Sequence, residues 1–216
     1  MNFLAHLYLA EPSGASMIGN LLPDLHRGRL PGGLDPVVME GVVRHRRVDA
    51  FTDRHPVFER SRARLRARHG RYAGVIVDVL YDHALSVRWA EYHAAERGAF
   101  IAEAYRRIRG AAELMPTRMR AIMPRMIEQD WLNAYATVDG IALTLERMSA
   151  RLRERFKREV DLAAAVDELR EQYGGFLEDF AAFFPDLVAY ACPHRGGMGP
   201  EKGFSDGSSA AEGFEL

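Results

Sequence analysis

Apolar residues recur at three- and four-residue intervals along almost the whole chain, and no stretch alternates apolar with polar positions as a half-buried strand would. The pattern predicts an all-α fold, a single-domain multi-helix bundle. Helices are expected near 2–10, 15–28, 36–53, 56–69, 72–92, 97–113, 118–136, 138–153 and 160–190. The breaks between them fall at Pro31-Gly32-Gly33, Arg97-Gly98, Met115-Pro116 and Gly140. Pro23, Pro124 and the pair Gly174-Gly175 lie inside three of these spans and are expected to kink or stop them. Asp35 followed by Pro36 reads as a helix N-cap with proline at the first helical position.

Within these stripes stand residues that should not be there on hydrophobic grounds alone. Asp78 and Asp82 are one turn apart and share a helical face with Val75, Leu85 and Trp89. His45 and Asp49 ride on the stripe of Val38, Gly41, Val42 and Val48, with Asp53 one turn further on. His6 is flanked on its face by Phe3, Leu9 and Ala10, and Asn20 and Asp24 face one way in the next helix. An unpaired carboxylate in an apolar setting costs several kcal/mol, on the order of the net stability of a domain, so it needs compensation. A lone inward histidine is ordinarily a hydrogen-bonded core residue, and Asp78 with Asp82 could hold a buried arginine. Recurrence on several helices favours one shared metal centre. Imidazole and carboxylate without thiolate suit manganese, magnesium or iron better than a closed structural zinc site.

Composition narrows the setting. The chain has 216 residues, 48% of them hydrophobic, and a formal charge of −1, enough for one sizeable core. Cys192 is the only cysteine, which excludes a disulfide framework and a thiolate cluster. No basic leader with an apolar run and no membrane-spanning stretch is apparent, so a cytoplasmic protein without membrane contact is expected. Residues 194–216 turn rich in glycine and serine and read as a disordered tail beyond a helical domain of residues 1–193.

Charge is unevenly spread. Between Arg44 and Arg71 stand ten arginines and three acids. On the helix near 56–69, Arg60, Arg64, Arg68 and Arg71 form one face and Arg62 with Arg66 a second. Either this is a solvated face or it is an anion-binding surface for phosphate or an acidic protein. Nucleic acid is not expected, since no aromatic platform interleaves with the arginines.

The segments M-N-F-L-A-H-L-Y-L-A at 1–10, G-N-L-L-P-D-L at 19–25, H-R-R-V-D-A-F-T-D at 45–53 and D-V-L-Y-D-H-A-L-S-V-R-W at 78–89 resemble the acyl carrier protein phosphodiesterase family. A weaker likeness runs through Q-D-W-L and L-E-R-M-S to about Phe184. That family is similar to the helical HD-type metal-dependent phosphohydrolases, although acid and imidazole stand here in the order Asp82-His83. The resemblance implies hydrolysis of the phosphodiester between 4′-phosphopantetheine and a serine of holo-acyl carrier protein, with a divalent cation, manganese first. Among the inward residues, His6, Asp24, His45, Asp78 and Asp82 are the candidate metal ligands. Asp49 becomes a further ligand or an orienting partner, His83, about 100° round the helix from Asp82, either the candidate proton donor to the serine oxygen or a core histidine, and Arg60, Arg64 and Arg68 the contacts for the acidic carrier protein. Two rivals to that reading are a helical phosphohydrolase of nucleotides or other small phosphoesters, and a non-enzymatic helical module that binds an acidic protein.

Overall fold

The computed structural model describes residues 1–26, 28–157 and 159–192; the tail expected at 194–216 lies outside them. The first five helices carry the site and set its geometry: α1 (Phe3–Tyr8), α2 (Gly14–Leu25), α3 (Pro36–Arg54), α4 (Pro56–His69) and α5 (Ala73–Val87). They are followed by α6 (Trp89–Tyr92), α7 (Arg97–Gly110), α8 (Thr117–Glu128), α9 (Trp131–Ala134), α10 (Val138–Phe156), α11 (Ala165–Glu171) and α12 (Tyr173–Ala191). Short 3₁₀ turns occupy Gly70–Tyr72 and Ala112–Leu114. Among the described residues there is no strand, so the all-α expectation holds, and no helix is long and apolar enough to cross a membrane.

Three expected helices are pairs. The span 72–92 breaks at Arg88, 118–136 breaks at Gln129 and Asp130, and 160–190 contains a break at Gln172. Asp130 takes a left-handed conformation with φ of 45°, which ends one helix and starts the next although no glycine marks the place. Pro23 and Pro124 lie inside α2 and α8, each of which ends within four residues of its proline.

The site is built by unusually close helix contacts. Helix α1 is buried on all sides, so its free N–H groups need partners inside the protein. Asn2 Oδ1 accepts from Phe3 N–H at 2.9 Å, while the Asp82 carboxylate of α5 accepts from Leu4 N–H at 2.7 Å and Ala5 N–H at 3.2 Å. Helix α2 crosses α3 at Gly19 and Gly41. A Cβ on Gly41 would stand 2.6 Å from Ser16 O, and one on Gly19 2.1 Å from Val38 O. Only hydrogen fits there, and the near-contact brings the Asn20 carbonyl onto the His45 ring. Helix α3 starts as its sequence suggests: Asp35 Oδ1 accepts from Val37 N–H at 2.8 Å and from Val38 N–H at 3.3 Å.

Helix α5 runs through the middle, packed by α1, α4, α10 and α12. Its Tyr81 sits in an aromatic layer with Phe58, Phe180 and Phe183, and its hydroxyl meets Ser61 Oγ at 2.9 Å. Burying rings of this size contributes on the order of 2 kcal/mol each and holds α4 and α12 against α5.

Candidate metal centre

Helix α1 brings His6 against His45 of α3, and the two rings stack with centroids 3.9 Å apart and 20° between planes. Asp49, one turn beyond His45, spans both. Its Oδ2 is 3.0 Å from His45 Nε2 and its Oδ1 is 3.2 Å from His6 Nε2. One ligand atom from each of His6, His45 and Asp49 can be chosen so that all lie within 4.8 Å of one another. Asp24 of α2 stands at the edge, its Oδ1 3.7 Å from His45 Nε2. The Met1 ammonium, fully buried, reaches Asp78 Oδ1 at 2.7 Å and Asp49 Oδ1 at 3.5 Å.

The protonation pattern follows from burial and neighbours. Burial drives the His6 pKa down to about 3, so the ring is neutral at ordinary pH. Yet neither of its nitrogens makes a hydrogen bond, although the Asp49 oxygen stands 3.2 Å from Nε2. A buried polar atom left unpaired costs about 1–3 kcal/mol. His45 differs: burial opposes its charge, but Asp49 and Asp24 outweigh burial and its pKa is raised. Its Nδ1–H donates to Asn20 O at 2.8 Å, which fixes the tautomer and aims Nε2 at the acids. Burial likewise opposes charge on Asp49, but the hydrogen bond from His45 and the charge of the Met1 ammonium hold it well below the usual carboxylate range. The Asp24 pKa is pushed up to about 6, chiefly by protein packed around it, though 37% of its side chain stays open to water, which tempers that burial.

These donors fit a divalent cation. A neutral imidazole with unpartnered nitrogens, a second imidazole whose far nitrogen is tied to a carbonyl, and an ionised carboxylate between them form a nitrogen and oxygen set of the kind that holds manganese or iron. The Asn20 side-chain oxygen is a further buried atom without a hydrogen bond.

The other residues singled out from sequence have different surroundings. Asp82 is fully buried and spends both oxygens on the N-terminus of α1; burial pushes its pKa up to about 7. Asp78 lines the cleft described below and is held by the Met1 ammonium, with burial raising its pKa. His83 is buried with Nδ1 2.7 Å from Tyr135 O and Nε2 2.9 Å from the Tyr173 hydroxyl, so it ties α5 to two other elements. Arg60 and Arg64 both pair with the buried Asp179 of α12, and Arg68 with Glu168 of α11. Those three arginines connect helices, and none of them lines the cleft beside the cluster.

That cleft has a volume of about 550 Å³ and opens between α3, α4 and the start of α5. Asp49, Asp53 and Asp78 are the acidic residues of its lining and Arg62, Arg66 and Arg71 the basic side chains. The sequence pattern had separated Arg62 and Arg66 as a second face of their helix, but it held no signal that this face, and not the first, meets the acids. The Met1 amine was missed altogether, because a backbone terminus leaves no mark on a helical wheel.

The acyl carrier protein phosphodiesterase family model matches residues 1–187. Proteins named acyl carrier protein phosphodiesterase from Yersinia enterocolitica and Serratia proteamaculans are 33% and 32% identical to the chain over 192 residues. In both cases the match covers 88% of this chain and 97% of the relative. The protein of that name from Photorhabdus laumondii is 32% identical, with 95% of its length covered. No solved structure matches the chain significantly. Every cluster residue falls inside the matched span, and the chain belongs to the acyl carrier protein phosphodiesterase family.

Proposed function

We propose that this protein hydrolyses the phosphodiester joining 4′-phosphopantetheine to the serine of holo-acyl carrier protein, releasing apo-protein and free 4′-phosphopantetheine, with a divalent cation at His6, His45 and Asp49. The observation that carries the reading is the His6 ring, buried and neutral with two unpartnered nitrogens, stacked on His45 and facing Asp49 beside an open cleft. Family membership supplies the substrate class.

In the reaction a water oxygen bonds to phosphorus, the bond from phosphorus to the serine oxygen breaks, and that oxygen leaves with a proton. A bound divalent cation would polarise the phosphoryl group and lower the pKa of a water; manganese is the first candidate, with magnesium or iron next. The chain's own residues do the rest. Asn20 orients His45 through its carbonyl. Asp82 orients His6 by fixing the start of α1 two residues before it. Asp78 adds to the acidic lining of the cleft, and Asp24, at the edge of the cluster beside His45, is able to exchange a proton near neutral pH. A cytoplasmic location belongs to the same reading, since the substrate is a carrier protein and the chain has a single cysteine, too few for a disulfide framework.

Purified protein incubated with holo-carrier protein and manganese should give a mass loss corresponding to 4′-phosphopantetheine. Chelation should abolish it, and His6→Ala or Asp49→Asn should lower both bound metal and turnover while helix content persists. A metal-free preparation that turns over at the full rate would overturn the cation. Release from a small phosphoester panel with none from holo-carrier protein would overturn the substrate.

A further inference from the structure

We propose that Arg62, Arg66 and Arg71 form a binding site for a phosphate group on the cleft beside the metal centre, and that the site holds the phosphomonoester product more tightly than the diester substrate. The inference rests on the reaction proposed above and names the surface that grips the anion.

The argument starts from charge that is kept apart. Three arginines and three aspartates line one cleft of about 550 Å³, yet among the described residues no ion pair joins one set to the other. Opposite charges in a shared, partly desolvated space would ordinarily collapse onto each other. Here each set is held back. Arg62 and Arg66, one turn apart on α4, both turn to the single carboxylate of Glu59 on their own helix. Arg71 donates from Nη2 to the Tyr72 hydroxyl at 2.8 Å, with its guanidinium over the Tyr72 ring at 4.8 Å from the centroid. No carboxylate among the described residues lies within 4.0 Å of Arg71. One glutamate therefore serves two of the three guanidinium groups and no carboxylate serves the third, which leaves surplus positive charge on the lining of the cleft.

Spare donors accompany the spare charge. A guanidinium carries five N–H donors in a planar fork that matches two phosphate oxygens. Arg62 and Arg66 reach Glu59 through their terminal Nη2 groups, and Arg62 Nε is buried without a partner. Space is left open as well. Gly70 and Gly74 line the cleft where α4 turns into α5, and Gly70, at φ of +51°, occupies a conformation that a side chain would strain. A Cβ on Gly74 would meet only the Arg62 Cδ, at 3.7 Å, so a longer side chain there would grow into the cleft beside that arginine.

The sign of the preference follows from the chemistry. A phosphodiester carries one negative charge, whereas a phosphomonoester carries about 1.5–2 near neutral pH. A surface with surplus cations binds the second more tightly, so the product and inorganic phosphate should compete with substrate.

The test uses inorganic phosphate as the probe, by calorimetric titration and by inhibition of holo-carrier protein hydrolysis. Replacing Arg62, Arg66 or Arg71 singly by Gln should weaken phosphate binding by about tenfold each, with bound metal unchanged. Glu59→Gln removes the competing carboxylate and should tighten phosphate binding by a few-fold, a gain that misfolding does not mimic. Unchanged phosphate affinity in the arginine variants, or weaker binding in Glu59→Gln, overturns the site. So does a rise in KM for holo-carrier protein with phosphate binding unaltered, because the arginines would then meet acids of the carrier protein. Phosphate binding that depends on these arginines in a protein inert towards holo-carrier protein would sustain the anion site and sink the substrate reading. Full turnover with phosphate binding indifferent to them would do the reverse.

Discussion

Asp82 is the residue at which a structural and a catalytic role make opposite predictions. Its side chain is fully buried, and its two oxygens take the N–H groups of Leu4 and Ala5, the first turn of the helix that carries His6. Asp82→Asn keeps the shape but replaces one acceptor oxygen with an NH₂ group. One buried N–H then faces a donor and is left unpaired, at a cost of about 1–3 kcal/mol. Loss of negative charge at the helix N-terminus adds roughly 0.3–1 kcal/mol. Relief of the charge burial that pushes the Asp82 pKa up to about 7 works the other way. The net expectation is a loss of about 1–3 kcal/mol, or roughly 3–10 °C in melting temperature for a chain of this size. Asp82→Ala unpairs both N–H groups and opens a cavity, so it should cost about 3–5 kcal/mol.

Both variants should lose metal and activity in the order of their loss of stability, because α1 places His6. Urea unfolding, thermal melting, metal content and turnover, measured on the same preparations, decide the matter. If Asp82→Asn abolishes metal binding and turnover while stability stays within about 0.5 kcal/mol of the parent, the reasoning fails. Asp82 would then be a ligand or reacting group, and the N–H contacts incidental.

His83→Gln should lower stability by about 1 kcal/mol through weakened bonds to Tyr135 and Tyr173, yet keep turnover close to the parent; a general acid would instead show a loss of about 10²–10⁴-fold. Gly41→Ala sets two effects against each other, since helix propensity alone gains about 1 kcal/mol whereas a methyl group 2.6 Å from Ser16 O forces the α2 and α3 backbones apart. Net destabilisation with reduced metal affinity is expected by denaturation and metal titration, and a more stable variant would refute the close crossing. Arg60, Arg64 and the Ser61 hydroxyl outweigh burial and hold the Asp179 pKa below its ordinary value. Its contribution is therefore present above the unfolded-state carboxylate range near pH 4 and is lost as pH falls through the folded pKa. Asp179→Asn should cost about 1–3 kcal/mol at neutral pH, discounted for the exposure of Arg60, and flatten the acid limb of the stability profile; an unchanged acid limb would show that the pairing is not felt.

Periodicity along the chain reached the helices and the inward positions, because both depend on near neighbours. The Asp35 cap, the buried stripe of α3 and the inward His6 and His45 are local patterns, and each stands where the pattern put it. Helix breaks without proline or glycine were not legible. Asp130 and Gln172 interrupt spans whose apolar pattern continues across them, so tertiary packing decides where those helices stop. The function of an inward carboxylate was equally hidden. Asp78, Asp82 and Asp49 look alike on a wheel, but one meets a terminal ammonium, one caps a distant helix and one bridges two imidazoles.

The same limit explains why the arginines of α4 divide as they do. Sequence places two basic stripes on one helix, with Arg60 and Arg64 on one and Arg62 and Arg66 on the other. Asp179, more than a hundred residues away on α12, pairs with both members of the first stripe and pins α4 to the core. That engagement fixes the rotation of α4, and rotation in turn brings the second pair to the cleft beside Asp49 and Asp53. Burial of one carboxylate in α12 thus determines which arginines remain for the proposed anion site beside the candidate metal centre. If this coupling is real, Asp179→Asn should weaken inorganic phosphate binding as well as stability, although Asp179 does not line the cleft. Phosphate affinity that stays at the parent value in a destabilised but folded Asp179→Asn protein would show that α4 holds its orientation without that anchor.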